Sequence, residues 1–188
     1  EYEERRTLNE TEKAGIARAC VEHIPDGSSL FLNIGTSTEA VARELLRHSG
    51  LLVVTNNMNV ANILVGNPDC QIILTGGALR RSDGGLVGAI TIDSIRQFKF
   101  DIAVIGCSAM DDDGDLLDFD IQEVSVSQTI LSRSRKSFLV ADHSKFMRSA
   151  PGRIASLSQI DALFTDQPLP VDLASRCKDW RTEVHLAI

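Results

Sequence analysis

Clusters of glycine, hydroxyl and amide residues follow short apolar runs in this sequence, and such clusters are suited to hold a small anion. The first, Gly35-Thr36-Ser37-Thr38, combines a glycine, which lets a ligand approach the backbone, with three hydroxyls that donate hydrogen bonds. The spacing of Thr36 and Glu39 is typical of a helix start, and a helix N-terminus presents unpaired N–H groups. The cluster therefore favours a phosphate-binding loop, with Thr36 as a simple helix N-cap as the alternative.

Amides and glycines follow two further apolar runs. Asn56 and Asn57 carry amides that suit a polyol hydroxyl, although asparagine is also common at helix starts. Gly76 and Gly77 precede Arg80, so this segment offers a close backbone approach and a bidentate cation for a phosphate or carboxylate. An exposed arginine without a ligand is the competing interpretation of Arg80.

A fourth cluster, Asp142-His143-Ser144-Lys145, follows an apolar run that ends at Ala141. Its carboxylate, imidazole and amine suit acid–base chemistry, and a structural turn with a salt bridge is the alternative. His143 has no matching Ser or Cys in an elbow motif, which argues against a hydrolytic triad. We expect Lys145 to contact a phosphate as a point charge, and we expect no catalytic residue.

The elements that must position these clusters indicate an α/β fold. Apolar runs at 30–34, 51–54, 72–74 and 102–105 have the length of buried strands in a parallel sheet. Helical periodicity alternates with them, which predicts a Rossmann-like, mostly parallel sheet with helices on both faces. Because ligands of such sheets bind outside the carboxyl ends of the strands, all four loops are expected to converge on one crevice.

The helices and the second half of the chain follow from the same patterns. Helices are predicted near 10–24, 36–46, 57–65, 90–98, 121–134 and 172–179, with a capping box formed by Asn9 and Glu12. Further strands are predicted at 137–141, 162–165 and 183–187, and a short extended segment at 116–120. The acidic run at 111–115 lacks the glycine and glutamate that a calcium loop needs, so a solvated turn is expected there.

Composition limits the classes of function. With 188 residues and 43% hydrophobic content, one domain is expected. A net charge of -7 with scattered Lys and Arg argues against nucleic-acid binding by this segment. Four widely spaced cysteines predict free thiols in a reducing cytoplasm, with no metal and no cofactor. No run has the length of a membrane span, and the polar start without Met suggests a fragment of a longer protein.

The order and spacing of the motifs resemble the effector-binding half of a DeoR-family bacterial transcriptional repressor. The matching segments are Leu32–Ala42, Val54–Asn57, Thr75–Arg80, Leu86–Gly88 and Val140–Phe146, with Ser82–Gly85, Leu117–Asp120 and Glu123–Val124 in addition. The resemblance spans almost the entire chain. The sequence departs from the family pattern at Ser127, where a lysine is expected, so a salt bridge or ligand role at that position is in doubt.

The resemblance implies a fold shared with ribose-5-phosphate isomerase and a phosphorylated sugar or polyol as ligand, with glycerol 3-phosphate as the first candidate. It also implies that residues 1–9 are a linker from a missing N-terminal winged helix-turn-helix, and that residues 10–188 form the effector domain. DNA is then contacted only through the missing domain and released when the effector binds. Family members are homo-oligomers, so a cytoplasmic dimer or tetramer is expected.

Two enzyme classes remain as alternatives. A sugar-phosphate isomerase of this fold needs acidic residues at the fourth strand end to move a proton, and Gly106-Cys107-Ser108-Ala109 supplies none. A nucleotide-binding Rossmann enzyme needs a glycine fingerprint and a ribose-binding acid, and the sequence lacks both. The sequence therefore predicts a binding domain that is not an enzyme.

Overall fold

The computed structural model describes residues 2–187, which form seven α-helices and twelve β-strands. The helices are α1 Tyr2–Thr7, α2 Glu10–Val21, α3 Thr36–Glu44, α4 Met58–Leu64, α5 Ala89–Arg96, α6 Ile121–Ser132 and α7 Val171–Trp180. The strands are β1 Ser29–Leu32, β2 Leu51–Thr55, β3 Cys70–Leu74, β4 Ala78–Leu79, β5 Leu86–Val87, β6 Phe100–Ile105, β7 Ala109–Met110, β8 Asp115–Asp118, β9 Ser134–Val140, β10 Gly152–Ser156, β11 Ala162–Thr165 and β12 Glu183–Leu186. Short 3₁₀ helices lie at Leu45–Arg47, His143–Met147 and Leu157–Gln159.

Seven strands form one central sheet in the order β12-β11-β9-β6-β1-β2-β3. Every neighbouring pair in this sheet is parallel, which confirms the predicted α/β class. The chain builds outward from β1 through β2 to β3, then crosses to β6 and builds outward on the other side. The strand order therefore reverses between β1 and β6, and this is the point at which sheets of this kind bind ligands.

The sheet separates two hydrophobic layers. Alternate residues of β1 point to opposite faces: Leu30 packs with α2, α3 and α4, whereas Phe31 packs with α5, α6 and α7. Both side chains are fully buried, and the same alternation recurs in β6 and β9. Burial on both faces explains why these strands are continuous apolar runs in the sequence.

Two small sheets, which the sequence analysis does not predict, lie outside the central one. β4 and β5 form an antiparallel pair, and β10, β8 and β7 form a three-stranded antiparallel sheet. Strands of two residues carry too little pattern to be recognised, because strand periodicity is detectable only over four or more residues. The extended segment predicted at 116–120 corresponds to β8, and the acidic run before it forms the expected turn.

Three local expectations are wrong. β3 is an edge strand with partly exposed residues rather than a buried strand, because no strand pairs with its outer side among the described residues. Asn9 does not form a capping box; it adopts a left-handed conformation, and its side chain donates to Asp142 Oδ1 at 3.0 Å. The N-cap of α3 is Gly35 rather than Thr36.

In residues 2–187 no helix is long and apolar enough to cross a membrane.

Candidate functional site

A cavity of about 570 Å³ lies at the carboxyl ends of β1 and β6, where the strand order reverses. Its lining residues come from six parts of the chain: Tyr2, Glu4 and Arg5; Ile34–Ser37; Arg80 and Asp83; Gly106–Ser108; Asp118–Asp120 and Glu123; and Lys145 with Arg148. A volume of this size is ordinary for a small-molecule site. The position and size therefore mark it as the candidate ligand site.

The loop after β1 forms one wall and presents its backbone to the cavity. Gly35 has a φ of +140°, a conformation that side chains with a β-carbon rarely adopt, so glycine is required for this turn. Thr38 braces the turn, because its Oγ1 donates to the carbonyl oxygens of Asn33 and Gly35 at 2.7 and 2.9 Å. The backbone N–H groups of Thr36 and Ser37 have no acceptor among residues 2–187. These donors therefore remain available to an anion at the N-terminus of α3.

Three cationic side chains, Arg5, Lys145 and Arg148, line the cavity. Lys145 is only 8% exposed, and no carboxylate within the described part of the chain lies within 4.0 Å of any of the three. Burial lowers the pKa of Lys145, and the charges of Arg148 and Arg5 lower it further, against the opposing influence of Asp142. These three cations thus form a cationic wall with no contact ion pair among residues 2–187, although the charge of Asp142 acts on Lys145 from a longer distance. Such a wall can attract an anion.

The cavity also has an acidic wall, in which Arg80 holds the carboxylates together. The guanidinium of Arg80 donates to Asp120 Oδ2 at 2.6 Å and to Glu123 Oε2 at 3.0 Å, and it also pairs with Asp83. Asp118 is buried close to this cluster and lines the cavity. Burial raises the pKa of Glu123 to about 7, with the charge of Asp118 adding to the effect and Arg80 opposing it. One arginine cannot neutralise four carboxylates, so this wall favours ligand hydroxyls over a phosphate.

Five of the eleven predicted site residues line the cavity, and six do not. Gly35, Thr36, Ser37, Arg80 and Lys145 line it. The residues outside its lining are Thr38, Asn56, Asn57, Gly76, Gly77 and Asp142. Arg80 is engaged by carboxylates, which differs from the expected phosphate contact. Of the predicted loops, those after β1 and β9 thus contribute site residues to the cavity, whereas Asn56 and Asn57 after β2 and Gly76 and Gly77 after β3 lie outside its lining.

The two asparagines after β2 are fully buried. Asn57 is the N-cap of α4, where its Oδ1 accepts from the N–H of Asn59 at 2.9 Å, and its amide donates to Asn33 O and Glu39 Oε2. Asn56 donates to the carbonyl of Leu86 at 2.9 Å. Both amides therefore support the loops behind the cavity.

The glycines after β3 serve packing. A β-carbon on Gly77 would lie 2.0 Å from Thr91 Oγ1, and one on Gly76 would lie 2.7 Å from a methyl carbon of Ile90. Both glycines thus allow α5 to approach this loop closely. Because β3 is the outermost strand, its carboxyl end lies two strands away from the switch point.

The cluster after β9 forms a structural turn around Lys145. Asp142 is 1% exposed, and its Oδ1 accepts from the N–H of Ser144 at 2.9 Å, which caps the 3₁₀ helix that carries Lys145. His143 Nδ1 pairs with Asp166 Oδ2 at 2.6 Å, and this hydrogen bond raises the pKa of His143. The turn alternative is confirmed, and its consequence is a fixed position for the Lys145 amine.

The sequence analysis did not propose the acidic wall, Arg5 or Arg148 as site residues. Asp118, Asp120 and Glu123 belong to segments that carry the family resemblance, Leu117–Asp120 and Glu123–Val124. That resemblance is the feature of the sequence that could have identified them as site residues. Arg5 and Arg148 stand in polar stretches without a motif. In residues 2–187 no group of three or more His, Cys, Asp or Glu side chains could hold a metal ion, and the four cysteines are free thiols.

The sequence matches the family model described as the DeoR C terminal sensor domain over residues 8–167. The chain belongs to the DeoR family. It is 46% identical over 185 residues to the glycerol-3-phosphate regulon repressor of Escherichia coli K12, covering 98% of this chain and 73% of that protein. The corresponding repressor of Haemophilus influenzae is 43% identical over 99% of this chain and 72% of its own length. The protein is thus the effector-sensing domain of a transcriptional repressor.

Solved structures share the fold of this sensor domain. A D-ribose-5-phosphate isomerase in complex with phospho-erythronic acid matches 73% of this chain and 54% of its own chain, with a TM-score of 0.54 and 17% identity. The eIF2B delta subunit of Chaetomium thermophilum matches 82% of this chain and 55% of its own, with a TM-score of 0.60 and 13% identity. At these identities the likeness concerns the fold, and the sensor domain spans about half of those chains.

Proposed function

We propose that this sensor domain binds glycerol 3-phosphate in the cavity between β1 and β6, with the phosphate at the N-terminus of α3. The observation that carries the proposal is Lys145, a buried cation with no carboxylate within 4.0 Å among residues 2–187. It lines the same cavity as Thr36 and Ser37, whose backbone N–H groups have no acceptor in the described part of the chain. A helix N-terminus and a fixed ammonium together form a site for a dianion. The names of the relatives support this ligand, since both are repressors of a glycerol-3-phosphate regulon.

The phosphate end of the ligand is assigned by charge. Among residues 2–187 no carboxylate lies within 4.0 Å of Arg5, Lys145 or Arg148. A phosphate monoester carries close to two negative charges at pH 7. Thr36 and Ser37 also line the cavity. Their hydroxyl groups add hydrogen-bond donors for the phosphate to those of the three cations. Arg80 is excluded from this set, because Asp83, Asp120 and Glu123 already accept its hydrogen bonds.

The hydroxyl end is assigned to the acidic wall. Asp118 and Glu123 line the cavity together with the cations, and carboxylate oxygens readily accept hydrogen bonds from the hydroxyl groups of a polyol. This assignment replaces Asn56, Asn57 and Asp142, whose side chains lie outside the cavity lining. The two walls together discriminate a phosphorylated polyol from both inorganic phosphate and an uncharged polyol.

The remaining organisation follows from the family. We propose that residues 1–9 connect to an N-terminal winged helix-turn-helix that contacts operator DNA, that residues 10–188 form the effector domain, and that the repressor is a cytoplasmic homo-oligomer. Effector binding then shifts the equilibrium towards the state with weak operator affinity, because that state binds the effector more tightly. A coupling free energy of about 1–3 kcal/mol corresponds to roughly 5- to 150-fold in operator affinity.

Isothermal titration of the purified chain tests the ligand. We expect saturable binding of glycerol 3-phosphate, no binding of glycerol, and weaker binding of inorganic phosphate, since only the first ligand engages both walls. Equal affinity for glycerol and glycerol 3-phosphate would refute the phosphate assignment. Absence of binding by glycerol 3-phosphate would refute the effector.

A sugar-phosphate isomerase is the second candidate, and the acidic wall favours it. The loop Gly106–Ala109 carries no acid, but Asp118 and Glu123 bring carboxylates to the same cavity from β8 and α6. A carboxyl with a pKa of about 7 matches the requirement for a general base. We favour the sensor, because the relatives are repressors, and we expect no conversion of ribose 5-phosphate. Ribulose 5-phosphate formation by the purified chain that is lost in Glu123→Gln would establish the enzyme instead.

A further inference from the structure

Helix α1 lies against the ligand cavity although it contributes nothing to the hydrophobic core. Tyr2, Glu4 and Arg5 line the cavity, and no residue of this six-residue helix is buried. A helix this short is unstable in isolation, so its conformation depends on contacts with the rest of the domain. Polar contacts join α1 to the rest of the described chain.

The first contact joins α1 to α3, the helix whose N-terminus is the proposed position of the phosphate. Tyr2 Oη donates to Glu39 Oε1 at 2.5 Å and accepts from Asn59 Nδ2 at 2.8 Å. Glu39 belongs to the first turn of α3 and is 4% exposed. Movement of α1 therefore acts directly on the helix whose N-terminus faces the cavity.

The second group of contacts joins α1 to α2, and joins the turn after α1 to the segment that carries Lys145. The buried amine of Lys13 donates to the carbonyl oxygens of Arg5 and Leu8, the latter at 2.7 Å. Asn9, in the turn after α1, donates to Asp142 Oδ1 at 3.0 Å, and Asp142 caps the 3₁₀ helix of Lys145.

Three cations, Lys13, Lys145 and Arg5, act on one another at this junction, where Asp142 and Glu39 supply negative charge. Burial lowers the pKa of Lys13 to about 8; Asp142 opposes this effect, and the charges of Lys145 and Arg5 add to it. Arg5 similarly lowers the pKa of Lys145. The three cations therefore repel one another across the contact between α1 and the cavity, and a bound anion would offset that repulsion by attracting each of them.

We propose that α1 is the closing element of the effector site: Arg5 contacts the ligand's phosphate, and the packing of α1 reports whether the site is occupied. This inference rests on the proposed phosphate position. In the proposed domain arrangement α1 is the described segment nearest the DNA-binding domain. Ligand binding that stabilises α1 could therefore alter the position of that domain while the sheet keeps its structure. The inference gives Arg5 a direct role in the affinity for the effector.

Hydrogen exchange read by mass spectrometry tests the closure. Peptides that cover residues 2–8 are expected to exchange more slowly with saturating glycerol 3-phosphate than without ligand, and glycerol is expected to have no effect. Tyr2→Phe removes one anchor without changing the charge of the cavity. This variant is expected to speed exchange of α1 in the free chain and to weaken ligand binding less than threefold.

Calorimetry of two matched arginine variants tests the phosphate contact. Arg5→Gln is expected to weaken glycerol 3-phosphate binding by about tenfold, the effect of a partly exposed charge-assisted hydrogen bond, and Arg5→Lys is expected to restore most of the affinity. Arg6→Gln is the control, since Arg6 lies in the same helix, is 64% exposed and pairs with Glu3. Equal affinity in the Arg5→Gln and wild-type chains, with unchanged exchange in α1, would overturn the inference.

The two proposals fail in different ways. If wild-type chain does not bind glycerol 3-phosphate, the effector assignment fails, and the exchange experiment is repeated with inorganic phosphate as the probe. Protection of residues 2–8 by phosphate that disappears in Arg5→Gln would support the closing role for an anion. Absence of protection by either probe would overturn it.

Discussion

Replacement of Lys145 by methionine separates ligand binding from stability more clearly than other changes in the site. Methionine retains most of the length and apolar volume of the lysine stem and removes the ammonium. Lys145 is 8% exposed, and the described residues offer it no carboxylate partner, so the change deletes an unpaired buried charge. Burial and neighbouring cations lower the pKa of this lysine, which means that its charged form destabilises the free domain. We therefore expect the free variant to melt no lower than the wild type.

Ligand binding responds in the opposite direction. A hydrogen bond between a fixed ammonium and a phosphate contributes about 1.5–3 kcal/mol, so Lys145→Met is expected to weaken glycerol 3-phosphate binding by roughly 10- to 150-fold. At a ligand concentration of 100 times the wild-type Kd, binding stabilises the wild type by about 2.7 kcal/mol. For a domain of this size that corresponds to a rise in Tm of about 5–10 °C. The variant, at the same concentration, is expected to show at most about half of that rise.

The assays are calorimetry and thermal unfolding with and without ligand. Lys136→Met is the matched control, because Lys136 lies exposed in the same strand that leads to Lys145, near the opposite end of the sheet. It is expected to retain wild-type affinity. The reasoning is refuted if folded Lys145→Met binds glycerol 3-phosphate as tightly as the wild type, or if it loses several degrees of Tm without ligand.

Three further changes test the site and its support. Glu123 takes up a proton on folding, because burial raises its pKa from 4.5 to about 7; the free energy of unfolding should therefore fall by about 1–3 kcal/mol as pH rises from 4.5 to 7. In Glu123→Gln, urea unfolding at several pH values should give a free energy of unfolding that varies less with pH. A variant with the same pH dependence as the wild type would contradict the assignment of the raised pKa to Glu123. Asn57→Ala removes the N-cap of α4 and two buried hydrogen bonds. The free energy of unfolding is therefore expected to fall by about 2 kcal/mol, and the Tm measured by calorimetry to fall by about 4–8 °C. A decrease in Tm of less than about 1 °C would exclude a supporting role for Asn57. Gly35→Ala introduces a β-carbon at a φ of +140°. The backbone N–H groups after this residue would move, so glycerol 3-phosphate binding is expected to weaken by about tenfold or more in a calorimetric titration. Wild-type affinity in this variant would show that the turn does not hold the ligand.

Local pattern was sufficient for most of the elements. The helix predicted at 121–134 is α6, Ile121–Ser132, and the strand predicted at 162–165 is β11, Ala162–Thr165. Periodicity of apolar residues is a property of neighbours in the chain, so it is readable without the fold. Pattern failed for α1, whose sequence has no apolar period and whose helix is held by side-chain contacts from Glu39 and Lys13.

The sequence by itself determined the kind of site, and the tertiary structure decided its members. A glycine with adjacent hydroxyls after an apolar strand, opening into a helix, predicts an anion loop at Gly35–Thr38, because those features are local. Which other strand ends face that loop depends on strand order, which no local pattern encodes. The order placed β1 beside β6 and moved the loop of β3 to the edge. Residues far apart in sequence, Arg5, Glu123 and Lys145 among them, consequently meet in one cavity, since the packing of helices on both faces of the sheet fixes their positions.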